Sequence, residues 1–488
     1  MTTLAERKLA PDQPWKMLIA GEFVEAADGA RLTATNPATE EVVATFPDAG
    51  EKDVEQAVVG AQAAAQEWAR QPWTRRAEIL RDFAQAIADH ADEFGRLDTL
   101  DSGNPLDAMV LEARSVPSAI EFYAGLASEI KGFTAPQLPT RVTFTERSPY
   151  GVVGRIVAFN HPFTFAAGKV AAPLVAGNAI IIKPAEQTSL SALEMGRIAA
   201  EVLPKGLVSV ITGRGGGAGQ HLVAHPGVPR IAFIGSVPTG RAILRTAAEH
   251  IKHVSLELGG KNPLVIFDDV DPRQAATAAI SAMNIRKCAG QSCGSASRVY
   301  VHAAIHDAFV ESLAGQLGQL VIGDPLQPST DIGPLAFREH YERVLNYIEL
   351  GKSEGARLVC GGGRPPGFER GFYVAPTVFA DVTDEMRIGR EEIFGPVISV
   401  FSWTDPADVL RRANDTDFGL TANVWTRDIS VAHRMARDFE AGYVYVNGSG
   451  GRPLGTPFGG WKHSGLGKDD SLEELLSYTR EKTVSITL

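Results

Sequence analysis

The chain predicts an α/β fold of more than one unit, on three observations. Its 488 residues exceed the roughly 250–300 that one hydrophobic core organises. From Gly151 onward, apolar β-branched runs alternate with helical patterns, which is the signature of repeated βαβ units and a parallel sheet covered on both faces. A second such series opens at "SRVYVH", so the first unit should end near Leu258.

Taken in order, the segment "AEILRDFAQAIADHADEFGRL" keeps Ile79, Leu80, Phe83, Ile87, Phe94 and Leu97 near a 3.6-residue spacing and predicts helix packed on the sheet. The strands follow as "GVVGRIVAF", "NAIIIK", "LVSVITG", "RIAFIGS" and "HVSLELGG", then "NPLVIF". Between them "SLSALEMGRIAAEVL" places Leu190, Leu193, Ile198 and Val202 near one helical face. The second series runs through "AAIHDAFVESLAGQL", "VISVFSW" and "GYVYVNG". Two strand-like pieces fit neither unit: "LPTRVTFTERSP" and the C-terminal "KTVSITL". Open strand edges seek partners, so these segments are expected to pair within and across subunits of a homodimer or homotetramer.

A formal charge of -11 with no Lys/Arg-rich run argues against nucleic-acid or anionic-membrane partners. The N-terminus lacks the apolar core of a secretory signal, and the most apolar later stretch is interrupted by Lys169, Pro173 and Asn178. A soluble, cytoplasmic protein is expected. Three cysteines make no disulfide framework, and their spacing with the histidines suits no metal site.

Chemistry is suggested at four places. "GRGGGAGQ" has Gly215-x-Gly217 but Gln220 where a third glycine would complete G-x-G-x-x-G, so it reads as a flexible loop. In "FIGSVPTGR" a strand ends at Gly235 and a helix begins at once, so Ser236 and free N–H groups can receive a pyrophosphate. Cys293 stands among Gly290, Ser292, Gly294 and Ser295, which leaves room for a substrate at sulfur and favours a nucleophile over a buried structural thiol. A thiolate attacking a carbonyl needs an oxyanion donor and a base; Asn160 in "AFNHP" and Glu257 in "SLELGGKNP" supply those types.

Together, "LELGGKNP", "GQSC", "EEIFGPV" and "PFGGWKHSGLGKD", with "TNPATEEVVATFP" and "AGNAIIIKPAEQT", resemble the NAD(P)-dependent aldehyde dehydrogenase superfamily, in the same order over nearly the whole chain. The resemblance implies a Rossmann-type cofactor domain (1–125 and 150–258), an α/β catalytic domain (259–465) and a β-strand oligomerisation flap (126–149 and 466–488). It implies Cys293 as nucleophile, Glu257 as general base, and Asn160 with the Cys293 N–H as oxyanion hole. The thiolate would add to the aldehyde, hydride would pass to the nicotinamide, and water activated by Glu257 would release a carboxylic acid. Lys169 matches a position near the catalytic centre, with a helix-surface lysine as the alternative. Lys183 and Glu186 match residues at the adenosine ribose, Gly235, Ser236 and Gly240 the pyrophosphate turn, and Glu392 and Phe394 the nicotinamide side. A carboxylate at Glu186 favours NAD over NADP.

Relatives also place the substrate. Gly168 stands where many carry a bulky side chain, which predicts a wide tunnel, and His161, Phe163 and Phe165 could wall it. That suits a bulky aromatic or terpenoid-like aldehyde. Arg452, in "GSGGRPLGTPFGG", would select an acidic semialdehyde if it faced inward. A CoA-acylating enzyme and an inactive binding homologue are the remaining alternatives, opposed by the presence of Glu257, and of Cys293, Glu257 and Asn160 together.

Overall fold

The structure is a computed structural model, and it describes residues 14–488. The expectation about an N-terminal targeting segment falls on residues 1–13 and lies outside them. Among the described residues, no helix is long and apolar enough to cross a membrane.

Two sheets with separate cores carry the fold. In the first, the expected strands Val208–Val210, Ala179–Lys183, Val152–Ile156, Arg230–Ile234 and His253–Glu257 lie side by side in that order and run parallel. Their apolar runs are buried on both faces because helices cover both. The antiparallel hairpin Met17–Ile19 and Glu22–Val24 closes one edge, and the short strand Gly465–Leu466 closes the other.

The helical segment before this sheet divides at Asp89 and His90 into Trp73–Ala88 and Ala91–Ser102. Leu80, Phe83, Ile87, Phe94 and Leu97 all reach the core, as their spacing predicts. The second sheet runs Arg357–Cys360, Thr377–Ala380, Val397–Trp403, Arg298–His302, Pro263–Ile266, Thr421–Trp425, Tyr443–Val446, all parallel except the first pair. The chain crosses between sheets in the short stretch separating Glu257 from Pro263.

The two unassigned strands find each other. Thr479–Thr487 pairs antiparallel with Arg141–Pro149 from Thr479↔Pro149 to Thr487↔Arg141, standing apart from both sheets. Residues 466–478, expected with the flap, instead pack on the first unit, where Leu475 and Tyr478 are buried in its core.

This topology dictates where a ligand binds. From Val152–Ile156 the chain winds outward to one side through Ala179–Lys183 and then returns to the other side at Arg230–Ile234. Connections leave in opposite directions at that point and open a crevice at the carboxyl ends of the strands.

Candidate active site

Strand ends line the crevice: Ile156 to Asn160, Lys183, Phe233 to Ser236 and Glu257 to Gly259 border one cleft of about 810 Å³. The second unit contributes Cys293, Glu392 and Phe394 to its far wall. Cys293, Glu257, Asn160, Lys183, Glu186, Gly235, Ser236, Glu392, Phe394 and Phe165 thus come together from well-separated stretches of chain.

Cys293 follows a tightly wound loop. Asn284, Ala289 and Gly290 take left-handed backbone conformations, and a Cβ on Gly290 would lie 2.5 Å from the Gly395 carbonyl oxygen, so only glycine fits. Gln291 pins the loop, donating to the Cys288 carbonyl at 3.1 Å and accepting from the Ala336 N–H at 3.0 Å. Asn262 holds the other side, its Nδ2 donating to the carbonyls of Cys293 at 2.7 Å and Ser295 at 3.0 Å.

Burial pushes the Cys293 thiol up to about 12, with the Arg452 guanidinium opposing and the Glu257 carboxyl reinforcing the rise. The Glu257 and Glu392 carboxyl groups thus act with burial against the thiolate form. Cys288 is likewise pushed up to about 12 by burial. Access separates the two: Cys293 lines the cleft, whereas Cys288 is fully buried with Sγ against the Asn284 carbonyl.

Glu257 ends its strand with its Oε2 buried and unbonded. Burial, then the neighbouring Asp469, hold its carboxyl well above the usual range, which is the state of a proton acceptor that ionises late. Asn160 is buried; its Nδ2 donates to the Gln291 carbonyl at 2.9 Å, and its own carbonyl accepts from Asn104 Nδ2 at 3.0 Å. An amide has two N–H bonds, so one remains unspent on a residue that lines the cleft. The Cys293 N–H meets no carbonyl among the described residues.

Lys169 is not the helix-surface lysine offered as an alternative. It is buried, with Nζ 2.6 Å from Asp470, 3.0 Å from Asp469 and 3.4 Å from Glu474. Burial opposes its charge, but these three carboxyl groups outweigh it and hold the ammonium above its ordinary range. Its field reaches Glu257. Asp470 and Glu474 lie outside every motif quoted above, while Asp469, Asn262 and Gln291 lie inside "PFGGWKHSGLGKD", "LELGGKNP" and "GQSC" but were given no role from the sequence.

At the opposite end of the cleft, Lys183 Nζ lies 3.2 Å from Glu186. Ser236 caps the helix Val237–Ala248, accepting from the Thr239 N–H at 3.4 Å. Gly259 lets Glu392 approach: a Cβ there would fall 2.1 Å from Glu392 Oε2, and Glu392 accepts from the Gly260 N–H at 2.9 Å. Phe394 sits at φ 64, a conformation a bulky side chain adopts only under constraint, and its ring packs edge-on against Phe159.

Some sequence expectations need correction. "GRGGGAGQ" is no bystander loop: Gly215, Gly216, Gly219 and Gln220 line the cleft beside Lys183 and Glu186. Gly240 lies beneath its helix rather than at the cleft, where an added Cβ would meet Leu258 at 3.0 Å. Phe163 is core, stacked on Phe94 with ring centroids 3.8 Å apart. Gly168 reflects crowding too, since its Cβ would lie 2.6 Å from the Thr164 carbonyl oxygen, and it gives no support to a wide tunnel.

The family model described as the aldehyde dehydrogenase family matches residues 23–484. This chain belongs to the aldehyde dehydrogenase family. Among curated members, it is 40% identical over 477 residues to aldehyde dehydrogenase tropH of Talaromyces stipitatus, covering 96% of this chain and 92% of that one. An NAD+ complex of aldehyde dehydrogenase from Bacillus cereus is similar at 38% identity and TM-score 0.96, over 100% of this chain and 99% of that one. HpcC from Thermus thermophilus is similar at 38% identity and TM-score 0.95, over 99% of this chain and 94% of that one. The two-sheet α/β architecture is thus the fold of solved aldehyde dehydrogenases.

Proposed function

We propose that this aldehyde dehydrogenase oxidises a bulky, ring-bearing aldehyde to the carboxylic acid with NAD. One observation carries the catalytic reading: Cys293, Asn160 and Glu257, from three elements, border the same cleft as Lys183, Glu186, Ser236, Glu392 and Phe394. The cleft suits a dinucleotide. Ser236 and the start of its helix offer N–H groups to a pyrophosphate, while Lys183 and Glu186 at one end, and Glu392 at the other, offer charged partners to two riboses. Glu186 supports NAD over NADP, because a 2′-phosphate there would meet its carboxylate.

In this reading Glu257 takes the proton of the Cys293 thiol, and sulfur adds to the aldehyde carbon. The free Asn160 N–H and the Cys293 N–H receive the developing oxyanion. Lys183, Glu186, Ser236 and Glu392 would hold the dinucleotide, whose nicotinamide would supply the hydride acceptor for that carbon. Glu257 passes the thiol proton on to solvent and then draws a proton from the water that attacks the thioester carbon, and the adduct collapses to the carboxylic acid and the Cys293 thiolate. Lys169 steadies the charge on Glu257 and links it to Asp469 and Asp470. The nucleotide-binding role falls to 1–125 and 150–258, the nucleophile to 259–465, and subunit contact to the strand pair Arg141–Pro149 and Thr479–Thr487 of a cytoplasmic homodimer or homotetramer.

Phe165 lines the cleft with Asn160, and the buried His161 ring stands edge-on behind it with centroids 5.5 Å apart; this aromatic pair supports the ring-bearing substrate. Arg452 favours a second reading, an aldehyde that also bears a carboxylate. Its guanidinium lies over Phe458 at 3.7 Å and 3.5 Å from Asp470, makes no hydrogen bond among the described residues, and acts on Cys293. A guanidinium with unspent N–H groups whose charge reaches the thiol can receive a carboxylate. NADH formation, with aromatic, aliphatic and carboxylate-bearing aldehydes offered in turn, tests the activity. Absence of NADH with every aldehyde would refute it, and equal kcat/KM with NADP would refute the cofactor preference.

A further inference from the structure

The short helix just ahead of Cys293 in the chain joins a part-buried charge cluster whose Glu112 and Lys287 the chemistry above leaves unused. Glu112, on the helix Leu106–Gly125, keeps only 11% of its side chain exposed. Its Oε1 lies 2.5 Å from Lys287 Nζ and 3.0 Å from His161 Nδ1, and its Oε2 3.1 Å from the same nitrogen and 3.4 Å from Thr164 Oγ1. Lys287 belongs to the short helix Ile285–Cys288, so the cluster ties the loop carrying Cys293 to the residue after Asn160. Burial works against the Glu112 charge, but His161 and Lys287 overcome it and hold the carboxyl at about 2.

An ionised carboxylate only accepts hydrogen bonds, so His161 Nδ1 must be the nitrogen that donates. A neutral ring with its proton on Nδ1 presents a lone pair at Nε2. That nitrogen has no partner among the described residues, and the ring stands edge-on to Phe165, which lines the chamber with Asn160 and Cys293. We propose that His161 Nε2, oriented by Glu112, accepts a hydrogen bond from a hydroxyl on the aldehyde, making the enzyme selective for hydroxyl-substituted ring aldehydes. This rests on the dehydrogenase reading above and names the substrate within it.

The charged groups facing this ring are Glu112 from its helix and Lys287 from the nucleophile loop, with Arg452 acting on Lys287 from the opposite side. The test compares kcat/KM for 2-, 3- and 4-hydroxybenzaldehyde with that for benzaldehyde and the matching methoxybenzaldehydes, in the parent and in His161→Phe. One hydroxy isomer should exceed both controls by about ten-fold, the worth of one neutral hydrogen bond. The ratio should fall towards one in His161→Phe, and the comparison of hydroxy with methoxy aldehydes in the parent needs no variant to fold. Equal rates for hydroxy and methoxy aldehydes, or a preference that survives His161→Phe, would overturn the hydroxyl site alone. No NADH from any of them overturns the dehydrogenase reading itself.

Discussion

Asn262 grips the backbone of Cys293: its Nδ2 donates to the Cys293 carbonyl at 2.7 Å while its Oδ1 accepts from the Thr421 N–H at 3.0 Å. One buried amide thus fixes the backbone of the proposed nucleophile against the strand Thr421–Trp425. Asn262→Ala should leave several buried groups unpaired, at about 1–3 kcal/mol each, and let sulfur drift. We expect a lower Tm and a kcat reduced by up to about 100-fold, with NAD affinity little changed in equilibrium titration. An unchanged kcat would show that Asn262 does not position the thiol.

Cys293→Ala should abolish turnover, a loss of at least about 10³-fold, while Cys288→Ala and Cys360→Ala remain active. Access decides this, since the Cys288 and Cys293 thiols are both pushed up to about 12 by burial. Steady-state assays beside far-UV circular dichroism check it. A folded but inactive Cys288→Ala would reassign the nucleophile.

Glu257→Gln should slow thioester hydrolysis by about 10²–10⁴-fold, the usual worth of a positioned base. Rapid mixing should show a burst of NADH near one per site, and mass spectrometry an acyl group on Cys293. Steady turnover equal to the parent would identify another base.

Activity should climb with pH through the neutral range. Burial raises both Glu257 and Cys293 above their ordinary values, so their reactive ionised forms are lost as pH falls and gained as it rises. A kcat/KM profile that declines from about pH 6 to 9 would contradict this arrangement of the site.

Arg452→Ala should weaken kcat/KM for carboxylate-bearing aldehydes by at least about ten-fold, the low end of a charge-assisted hydrogen bond, and spare neutral ones. Because Arg452 also opposes the rise of the Cys293 thiol, its removal should shift the alkaline limb of the pH profile upward for every substrate. Equal losses on acidic and neutral aldehydes would remove its role in selection.

Local pattern and residue chemistry determined much of this protein. Continuous apolar, β-branched runs marked the strands of both sheets, and glycine and serine around Cys293 marked a thiol open to substrate, because both are properties of adjacent residues. Tertiary structure decided what depends on distant chain. Gly240 and Gly168 look like ligand-site glycines in sequence, yet one accommodates Leu258 and the other the Thr164 carbonyl. Lys169 became a buried member of a charge array only when residues 469–474 folded back on it. The state of the Cys293 thiol could not be read from its neighbours in the chain, since burial and charges brought by Glu257, Glu392 and Arg452 set it. Electrostatic energies depend on separation in space and on the loss of water, and only the folded chain specifies either.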